Sequence, residues 1–372
     1  MAEATEVISP VLPDYGDACI TNVSAALRHP TGKPPYWVPE PALGARQVVL
    51  LVLDGLGWDQ LTPRQTVAPT LAAMLGGPIT SVAPTTTATA LTSITTGLPP
   101  AGHGIVGYRV RVGQGDVLNV LRWRTAQGDA RVEHVPHEFQ VQQAFDGERP
   151  PVVTRAEFGA TGFTLAHLPD VRLHGWRLPS SLPVRVGELL TAGEPFVYAY
   201  YDGIDKTAHE HGFGAFYDAE LRAADRLVAD IASDLPPGAA LVVTADHGQV
   251  EVGDSVITLA PEVLAHTWLV SGEGRFRWLH ARPGERDVLR DQADQAYAHV
   301  AWVLTVDELE EQGWFGGRLS AAGRDRLGDV ALIAHQDVAF ADPADTGELT
   351  LRCRHGSATR AEMLVPLIAV SH

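Results

Sequence analysis

The sequence predicts an α/β fold with a mostly parallel central sheet flanked by helices. Three apolar runs support this prediction, and each ends in an acidic residue followed by glycine or histidine: VVLLVLDG (48–55), PFVYAYYDG (195–203) and ALVVTADHG (240–248). Unbroken runs of β-branched and aromatic residues are typical of strands buried on both faces of a parallel sheet. One such run is equally compatible with a core strand that ends in a polar turn, but three indicate a shared functional edge.

A helix is predicted between the second and third runs. The segment FGAFYDAELRAADRLVADIASDL has apolar residues at helical spacing, namely Phe216, Leu221, Ala224, Leu227, Val228, Ile231 and Leu235. The order strand, helix, strand is that of a right-handed parallel crossover. Polar side chains that follow the strands are then expected at the carboxyl edge of the sheet: Asp54, Asp202, Asp205, Asp246 and His247.

The remaining chain is predicted to form a smaller subdomain and a set of loops. Residues 251–350 contain short strand-like runs (RFRWLHARPG, HVAWVLTV, DVALIAH) and polar helices near LEEQGWF and LSAAGRDRLG, which indicate an inserted α+β subdomain. The catalytic core would then comprise residues 1–250 and 351–372, and the chain would return to the main sheet in RHGSATRAEMLVPLIAV. An irregular stretch from about 107 to 190 is expected to supply loops over the site.

Composition restricts the class of partner and the compartment. The chain of 372 residues is 45% hydrophobic and 20% charged, with a formal net charge of −17. This charge disfavours a nucleic-acid duplex as a partner and requires a local cationic feature to hold any anionic substrate. Two cysteines, Cys19 and Cys353, are too few for a disulfide framework. With no signal peptide and no membrane span in the sequence, we expect a cytoplasmic location; the oligomeric state is not indicated.

Several potential metal ligands recur at the predicted sheet edge and in a glycine-flanked turn near the C-terminus: Asp54, Asp205, His209, Asp246, His247 and His355. Asp205 and His209 are one helical turn apart on one helix face. Carboxylate and imidazole ligands without thiolates suit zinc, or manganese or magnesium where carboxylates predominate. Each short motif also occurs as an ordinary turn or helix surface, but their joint occurrence indicates room for two metal ions.

A run of threonines supplies a candidate nucleophile. In VAPTTTATALTSITTG (82–97), the TTT turn precedes a predicted helix, although threonine is a mediocre helix former. One threonine would lie at the positive N-terminal end of that helix, where phosphoryl oxygens are also favoured. A hydroxyl activated by a metal would act as a nucleophile there. The alternative is a threonine that caps the helix, with other threonines packed in the core.

In this order, the motifs resemble those of the alkaline phosphatase superfamily, and within it the nucleotide pyrophosphatase/phosphodiesterase (type I phosphodiesterase) family. LVLDGLG is similar to the first metal-ligand motif, and PTTTATALTSITTGLPPAGHGI to the nucleophile segment. YYDGIDKTAHEHG, TADHG and RHGSATRAEMLVPLIAV are similar to the later ligand motifs. The resemblance spans most of the chain and implies an alkaline-phosphatase-like core, with the region around RLGDVALIA in the inserted subdomain.

The resemblance also implies site residues and a reaction. The nucleophile would be Thr87. One metal ion would be held by Asp205, His209 and His355, and the other by Asp54, Thr87, Asp246 and His247. The implied activity is that of a phosphodiesterase or nucleotide pyrophosphatase with two divalent ions, zinc first and manganese second. It would form a covalent phospho-threonine intermediate on a small phosphorylated substrate such as a nucleotide. Asp202, His211 and His103 are expected to have supporting or structural roles.

Two features keep alternatives open. The family has an asparagine a few residues after the nucleophile that holds a phosphoryl oxygen, and the corresponding position here is Ala90, so Thr89 or a backbone N–H would have to substitute. A monoester dianion calls for an arginine clamp, and the nearest arginine after Thr87 is Arg109. Phosphomonoesterase, phosphonate hydrolase and sulfatase activities therefore remain alternatives, as does a noncatalytic metal-stabilised scaffold or sensor.

Overall fold

The computed structural model describes residues 8–30, 32–345, 347 and 350–372. The strands, in chain order, are β1 Gln47–Leu53, β2 Leu75–Thr80, β3 Arg109–Val112, β4 Asp116–Asn119, β5 Arg124–Thr125, β6 Gly128–Asp129, β7 Pro151–Arg155, β8 Arg172–Trp176, β9 Phe196–Tyr201, β10 Ala239–Thr244, β11 Val250–Glu251, β12 Val256–Ile257, β13 Thr267–Glu273, β14 Phe276–Ala281, β15 Ala301–Thr305, β16 Val330–Ala334, β17 Ala339–Phe340, β18 Cys353–Arg354 and β19 Leu364–Ser371.

The α-helices, in chain order, are α1 Ile20–Arg28, α2 Trp58–Leu61, α3 Pro69–Ala73, α4 Thr87–Thr96, α5 Pro100–His103, α6 Pro136–Phe139, α7 Gly162–His167, α8 Ser181–Thr191, α9 Gly203–His211, α10 Ala215–Ser233, α11 Pro261–Ala265, α12 Arg286–Tyr297, α13 Val306–Glu311, α14 Ala321–Asp325 and α15 Arg360–Met363. Short 3-10 helices cover Glu40–Ala42, Thr62–Arg64, Ala144–Gly147 and Ala156–Ala160.

The central sheet has the strand order β2-β19-β10-β1-β9-β7-β8. The three apolar runs of the sequence are its adjacent strands β10, β1 and β9, which pair in parallel, with Val48 opposite both Ala240 and Phe196. β19 runs opposite to the other six strands of this sheet, because it pairs antiparallel with both β10 and β2, whereas the remaining pairs are parallel. Helices flank the sheet: α1 contacts β1, and α10 contacts β10. The predicted fold class is confirmed.

Helix α10 is the predicted crossover helix, but its buried face differs at one position. Phe216 is 63% exposed, whereas the adjacent Tyr217 is buried with Leu221 and Val228. Positions 217, 221, 224, 228 and 231 form one continuous stripe at helical spacing, and position 216 lies about 100° away from it. The prediction that Phe216 belongs to the apolar face was therefore wrong.

The stretch 107–190 is more regular than predicted. Strands β7 and β8 pair in parallel and extend the central sheet beyond β9. Strands β3 to β6 form a separate antiparallel sheet. The prediction of loops failed at β7 because its run, PVVTR, is short and follows a second proline, Pro150. Such a segment has too few alternating or apolar positions to show strand periodicity.

The region 251–350 contains a second antiparallel sheet of strand order β13-β14-β16-β15. Three of these strands are the predicted runs, now β14, β15 and β16, and α13 and α14 lie at the predicted polar helices. One set of its buried side chains, including Phe276 and Trp278, joins the main core, while Leu279 and Leu332 belong to a second cluster. The domain division at residues 251 and 350 stays a prediction.

The longest helix of the described residues is α10, with 19 residues. It is amphipathic, with Leu221 buried and Arg222 and Arg226 exposed. Within the described ranges, no helix has both the length and the apolar character that a bilayer crossing requires.

His103, the last residue of α5, has ring nitrogens with fixed roles. The Ile105 N–H donates to His103 Nδ1 at 3.1 Å. Nε2 therefore carries the proton and donates to Ser93 Oγ at 2.8 Å. Burial, aided by the positive charge of Arg326, lowers the pKa of His103 to about 3. The folded protein thus keeps this imidazole neutral, and protonation of Nδ1 would break the bond from Ile105.

We expect acid to destabilise the protein through His103. Because the folded pKa lies below the ordinary value of 6.5, the unfolded chain binds this proton first. The contribution of neutral His103 to the free energy of unfolding is therefore complete above pH 6.5 and falls by about 1.4 kcal/mol per pH unit towards pH 3. Urea unfolding of metal-free protein at pH 7 and pH 5 measures how far the free energy of unfolding falls between these pH values. This fall should be about 2 kcal/mol smaller in His103→Gln than in wild type. Identical pH dependence in the two proteins would contradict this prediction.

Candidate metal centre

The predicted ligands and nucleophile converge at one edge of the central sheet. Asp54 directly follows β1, and Asp246 and His247 follow the adjacent β10. Asp205 and His209 lie on α9, which begins two residues after β9. Because β10, β1 and β9 are parallel neighbours, their carboxyl ends bring these side chains to the same place. Thr87 is the first residue of α4 and joins them there.

Three oxygen atoms surround Nε2 of His247. The distances are 3.1 Å to Thr87 Oγ1, 3.4 Å to Asp246 Oδ2 and 3.5 Å to Asp54 Oδ1. His247 is fully buried, and Thr87 is 7% exposed. These four residues are the set that the resemblance implies for one metal ion.

The other implied set meets at Asp205. Its Oδ1 lies 3.2 Å from His209 Nε2 and 3.9 Å from His355 Nε2. The rings of His247 and His355 stack with centroids 3.6 Å apart, so the two sets adjoin. One potential ligand atom from each of Asp205, Asp54 and His247 also lies within 4.8 Å of the other two. The division of the ligands between two ions stays a prediction.

The three histidines implied as ligands all present Nε2 to the site. Their Nδ1 atoms lie 2.7 to 3.0 Å from backbone carbonyl oxygens: His209 from Cys353, His355 from Thr85 and His247 from Gly248. A carbonyl only accepts, so Nδ1 carries the proton in each ring and the Nε2 lone pair is free. This is the usual arrangement of histidines that bind metal. Burial, with the nearby His247 and His209, also lowers the pKa of His355, which favours its neutral form.

Two buried carboxylate oxygens at the centre are unsatisfied. Asp54 Oδ1 and Asp246 Oδ2 have no hydrogen-bond partner in the described part of the chain. Burial raises the pKa of both groups, and the charge of Asp246 adds to the effect on Asp54. Adjacent buried carboxylates without a cation are unfavourable, whereas a divalent ion would satisfy both oxygens. Together with the histidine orientation, this donor set fits metal binding.

Two supporting residues were missed by the sequence analysis. The Tyr200 hydroxyl donates to Asp54 Oδ2, and Gln249 Nε2 donates to Asp205 Oδ1 at 3.0 Å. Gln249 directly follows the DHG motif, so proximity in sequence was the available signal. Gly55 has a φ of +74°, and a Cβ there would lie 2.4 Å from Gln249 Nε2. A glycine is therefore required where Gln249 reaches across to Asp205.

A buried ion pair holds the loop that carries His355. Arg275 and Glu362 are both fully buried, and Arg275 Nε donates to Glu362 Oε1 at 2.8 Å. The Ser357 N–H donates to the same oxygen at 3.0 Å. This network fixes the chain two residues after His355, so the loop that carries His355 is positioned by Arg275, just before β14, as well as by Thr85, two residues before α4.

The segment predicted to carry the nucleophile forms a buried helix. Helix α4 begins at Thr87 and ends before Gly97, which has a φ of +69°. All of its residues are buried, and Ala90 bonds through its N–H to the Thr86 carbonyl at 2.9 Å. Thr89 Oγ1 is buried without a hydrogen-bond partner among the described residues. The N-terminal position expected for one threonine is therefore that of Thr87.

Four other residues singled out from the sequence have partners outside the ligand sets. Asp202 pairs with Arg155 and Lys206. His211 stacks on Phe216 with ring centroids 4.0 Å apart, and His103 bonds to Ser93. Arg109 pairs with the buried Asp342. Arg109 is therefore engaged elsewhere and is not the clamp considered for a monoester.

A cavity of about 350 Å³ opens beside the centre, and Asp54, Thr87 and Asp205 form part of its wall. The apolar part of the wall contains Leu91, Leu121, Phe158, Phe163 and Leu168. Arg122 and Lys206 also line this cavity. Its size and mixed lining are typical of a small-molecule site.

The fold has well-defined structural relatives. Murine ectonucleotide pyrophosphatase/phosphodiesterase 5, solved in an inactive form with AMP, superposes with a TM-score of 0.63 at 16% identity over 88% of each chain. Phosphonoacetate hydrolase from Sinorhizobium meliloti 1021, solved with phosphonoformate, gives 0.64 at 20% identity over 88% of this chain and 90% of that one. Identities this low establish a shared fold. A comparison with curated protein sequences finds no match.

The sequence matches the type I phosphodiesterase / nucleotide pyrophosphatase family over residues 48–358. This range extends from β1 to the loop after His355, and so includes every implied ligand and the nucleophile segment. The chain belongs to the type I phosphodiesterase / nucleotide pyrophosphatase family and is a hydrolase of phosphoric ester or phosphoanhydride bonds.

Proposed function

We propose that this protein is a metal-dependent phosphodiesterase or nucleotide pyrophosphatase in which Thr87 is the nucleophile. The observation that carries the proposal is the contact of Thr87 Oγ1 with His247 Nε2 at 3.1 Å, beside the unsatisfied oxygens of Asp54 and Asp246. A hydroxyl in this setting is suited to attack on phosphorus. The substrate would be a small phosphorylated molecule such as a nucleotide.

The ligand sets proposed for two divalent ions are those implied by the resemblance. Asp205, His209 and His355 would hold one ion, and Asp54, Thr87, Asp246 and His247 would hold the other. Zinc suits these nitrogen and oxygen donors, and manganese is the second choice. When bound, the ions would supply positive charge that stabilises phosphoryl oxygens and favours the deprotonated form of a coordinated hydroxyl.

The chain's own residues account for the remaining requirements of the reaction. Thr87 Oγ1 gives up its proton to water and forms a bond to phosphorus while the bond from phosphorus to the leaving oxygen breaks. The leaving oxygen takes a proton from water, so no net proton is gained or lost. The first turn of α4 favours the phosphoryl oxygens because its N–H groups lie at the positive end of the helix. Water then attacks phosphorus in the phospho-threonine intermediate, releases the phosphorylated product and regenerates the Thr87 hydroxyl.

Phosphomonoester or phosphonate hydrolysis is the second candidate. It is favoured by Arg122 and Lys206, which bring positive charge to the cavity that Thr87 lines. A dianionic substrate needs such charge more than a monoanionic diester does. Ala90 weakens the specific assignment to nucleotides, because its methyl group cannot donate to a phosphoryl oxygen.

The test is hydrolysis of bis(4-nitrophenyl) phosphate and 4-nitrophenyl phosphate by zinc-loaded and manganese-loaded protein. We expect faster cleavage of the diester, with saturation kinetics and loss of activity after chelation. Faster cleavage of the monoester would favour the second candidate. Absence of turnover with either metal on either ester would contradict the proposal and favour the noncatalytic scaffold.

We also infer a cytoplasmic location. The support is that Cys19 and Cys353 are both buried and unpaired, as is usual in a reducing compartment. Alkylation of the two thiols in denatured protein prepared from intact cells, without a reductant, would test this. Complete modification is expected, and a protected pair of cysteines would contradict the inference.

A further inference from the structure

We propose that Arg122, assisted by Lys206, binds a second anionic group of the substrate, so that the enzyme prefers phosphoryl compounds that carry a carboxylate or another phosphate. This inference deepens the proposed function and rests on it, because the cavity concerned is the one that Thr87 lines. Arg122 and Lys206 would act as specificity-determining residues.

Arg122 is a cation without an internal counter-ion. Its backbone N–H bonds to Asn119 Oδ1 at 3.0 Å, but no carboxylate of the described ranges pairs with its side chain. The protein has a formal net charge of −17, and many of its arginines pair with carboxylates, Arg109 and Arg275 among them. An exposed, unpaired guanidinium that lines the site cavity is therefore available to a ligand.

The turn that carries Arg122 is held rigidly by the next residue. Trp123 is buried, and its Nε1 donates to the His134 carbonyl at 2.6 Å. Its ring meets Phe139 edge-on at 5.4 Å, and a Cβ on Gly162 would lie 2.2 Å from Trp123 Cγ. Trp123 also has a φ of +52°, an unfavourable conformation for a bulky residue. Such strain persists only where packing enforces it, and it is common at ligand sites.

Lys206 supplies a second cation on the same cavity wall. It is one of two lysines in the sequence, the other being Lys33. Its ammonium pairs with Asp202 and lies 5.6 Å from the centroid of the Phe158 ring. Asp202 also pairs with Arg155 at 2.8 Å, so one carboxylate faces two cations. Asp202 therefore neutralises only part of the positive charge that Arg155 and Lys206 carry.

The cavity places a limit on the substrate. Its volume of about 350 Å³ and its apolar wall of leucine and phenylalanine side chains suit a short organic segment between the two anionic groups. The scissile phosphoryl group would lie at Thr87, and the second anion would be bound by charge-assisted hydrogen bonds from Arg122. Neutral esters of the same size would lack that contact.

A matched substrate pair tests the role of charge. The pair is 4-nitrophenyl 2-carboxyethyl phosphate and its carboxamide, which differ in charge but hardly in shape, and 4-nitrophenyl 2-phosphoethyl phosphate forms a third arm. We expect wild type to favour the carboxylate or the phosphate over the amide by about 10- to 100-fold in kcat/KM. Faster cleavage of either the carboxylate or the phosphate identifies which anion is bound. Equal rates for all three compounds, or fastest cleavage of the amide, would overturn the proposal.

The variants identify the residue responsible. In Arg122→Gln, the ratio of kcat/KM for acid over amide should fall towards one, and Lys206→Gln should lower it less. Arg124→Gln removes a charge two residues away that does not line this cavity, and Lys33→Gln removes the other lysine. Both controls should keep the wild-type ratio. An equal fall in Arg124→Gln would overturn the assignment, since general charge would then explain the effect.

A binding measurement separates this proposal from the proposed function. Calorimetry with zinc-loaded Thr87→Ala protein can compare 2-carboxyethyl phosphate with its carboxamide without turnover. Tighter binding of the acid, lost in Thr87→Ala/Arg122→Gln, supports the proposal even if the wild-type enzyme cleaves neither ester. Equal binding of acid and amide overturns it even if the diester is hydrolysed.

Discussion

Replacement of Thr87 by alanine should lower kcat by about 10⁴- to 10⁶-fold, the range expected when a covalent nucleophile is removed. Thr87 Oγ1 is the hydroxyl in contact with His247, and alanine leaves no atom there to form the bond to phosphorus. Thr87→Ser keeps a hydroxyl and should retain measurable turnover. Steady-state assays with the better of the two nitrophenyl esters would measure these effects.

The matched control is Thr86→Ala. Thr86 precedes Thr87 and is the N-cap of α4, but its side chain makes no capping hydrogen bond. Its removal should therefore change kcat less than tenfold. Metal content and the circular dichroism spectrum of Thr87→Ala should also be measured, to separate loss of chemistry from loss of structure. Wild-type activity in Thr87→Ala, or an equal loss in Thr86→Ala, would disprove the assignment of the nucleophile.

Asp54→Asn should remove one of the two divalent ions that we propose. The loss in kcat/KM should exceed the roughly 10- to 100-fold that is typical when a residue hydrogen-bonded to a metal ligand is replaced. Asp54 is 2% exposed, with Oδ1 unsatisfied and Oδ2 bonded to Tyr200, so the amide alters the donor without changing its size. Elemental analysis of protein dialysed against zinc should give about two equivalents for wild type and one for the variant.

Thermal unfolding gives a second and independent result. In metal-free protein, Asp54→Asn removes one of two neighbouring buried carboxylates, so the variant should melt no lower than wild type. In zinc-loaded protein, it should melt lower, because bound ligand stabilises the folded state of wild type more. Asp59→Asn is the control, since Asp59 pairs with Arg360 at the surface. Two equivalents of zinc and full activity in Asp54→Asn would exclude Asp54 as a ligand.

Much of the sheet edge was predictable because its strands are almost fully buried. β1, β9 and β10 have apolar sequences apart from Gln47 at the start of β1 and Thr244 at the end of β10, and an acidic residue follows each strand within two positions. β7 and β8 were not predicted, since a short strand with an arginine at its end has no distinctive period. Phe216 was misassigned because a helix's buried face depends on which neighbour it packs against, and Tyr217 satisfies the same spacing.

The residues that meet at the candidate metal centre could be singled out because their motifs carry local signatures, such as the one-turn spacing of Asp205 and His209. The cavity beside these residues could not be predicted from the sequence. Arg122 lines this cavity from the turn between β4 and β5, 35 residues after Thr87 in the sequence. The position of that turn depends on contacts such as the hydrogen bond from Trp123 Nε1 to the His134 carbonyl. Long-range contacts of this kind leave no periodic trace in the sequence.

The antiparallel strand β19 has a consequence for folding kinetics. In the central sheet, β2 pairs with β19 alone, so residues 75–80 cannot join the sheet until residues 364–371 have arrived. Pairings so distant in the chain are slow to form, because the loop must close before any contact compensates for the lost entropy. His355 lies nine residues before β19 and arrives with it. An early folding species without β19 would leave the edge of β10 unpaired, which favours aggregation.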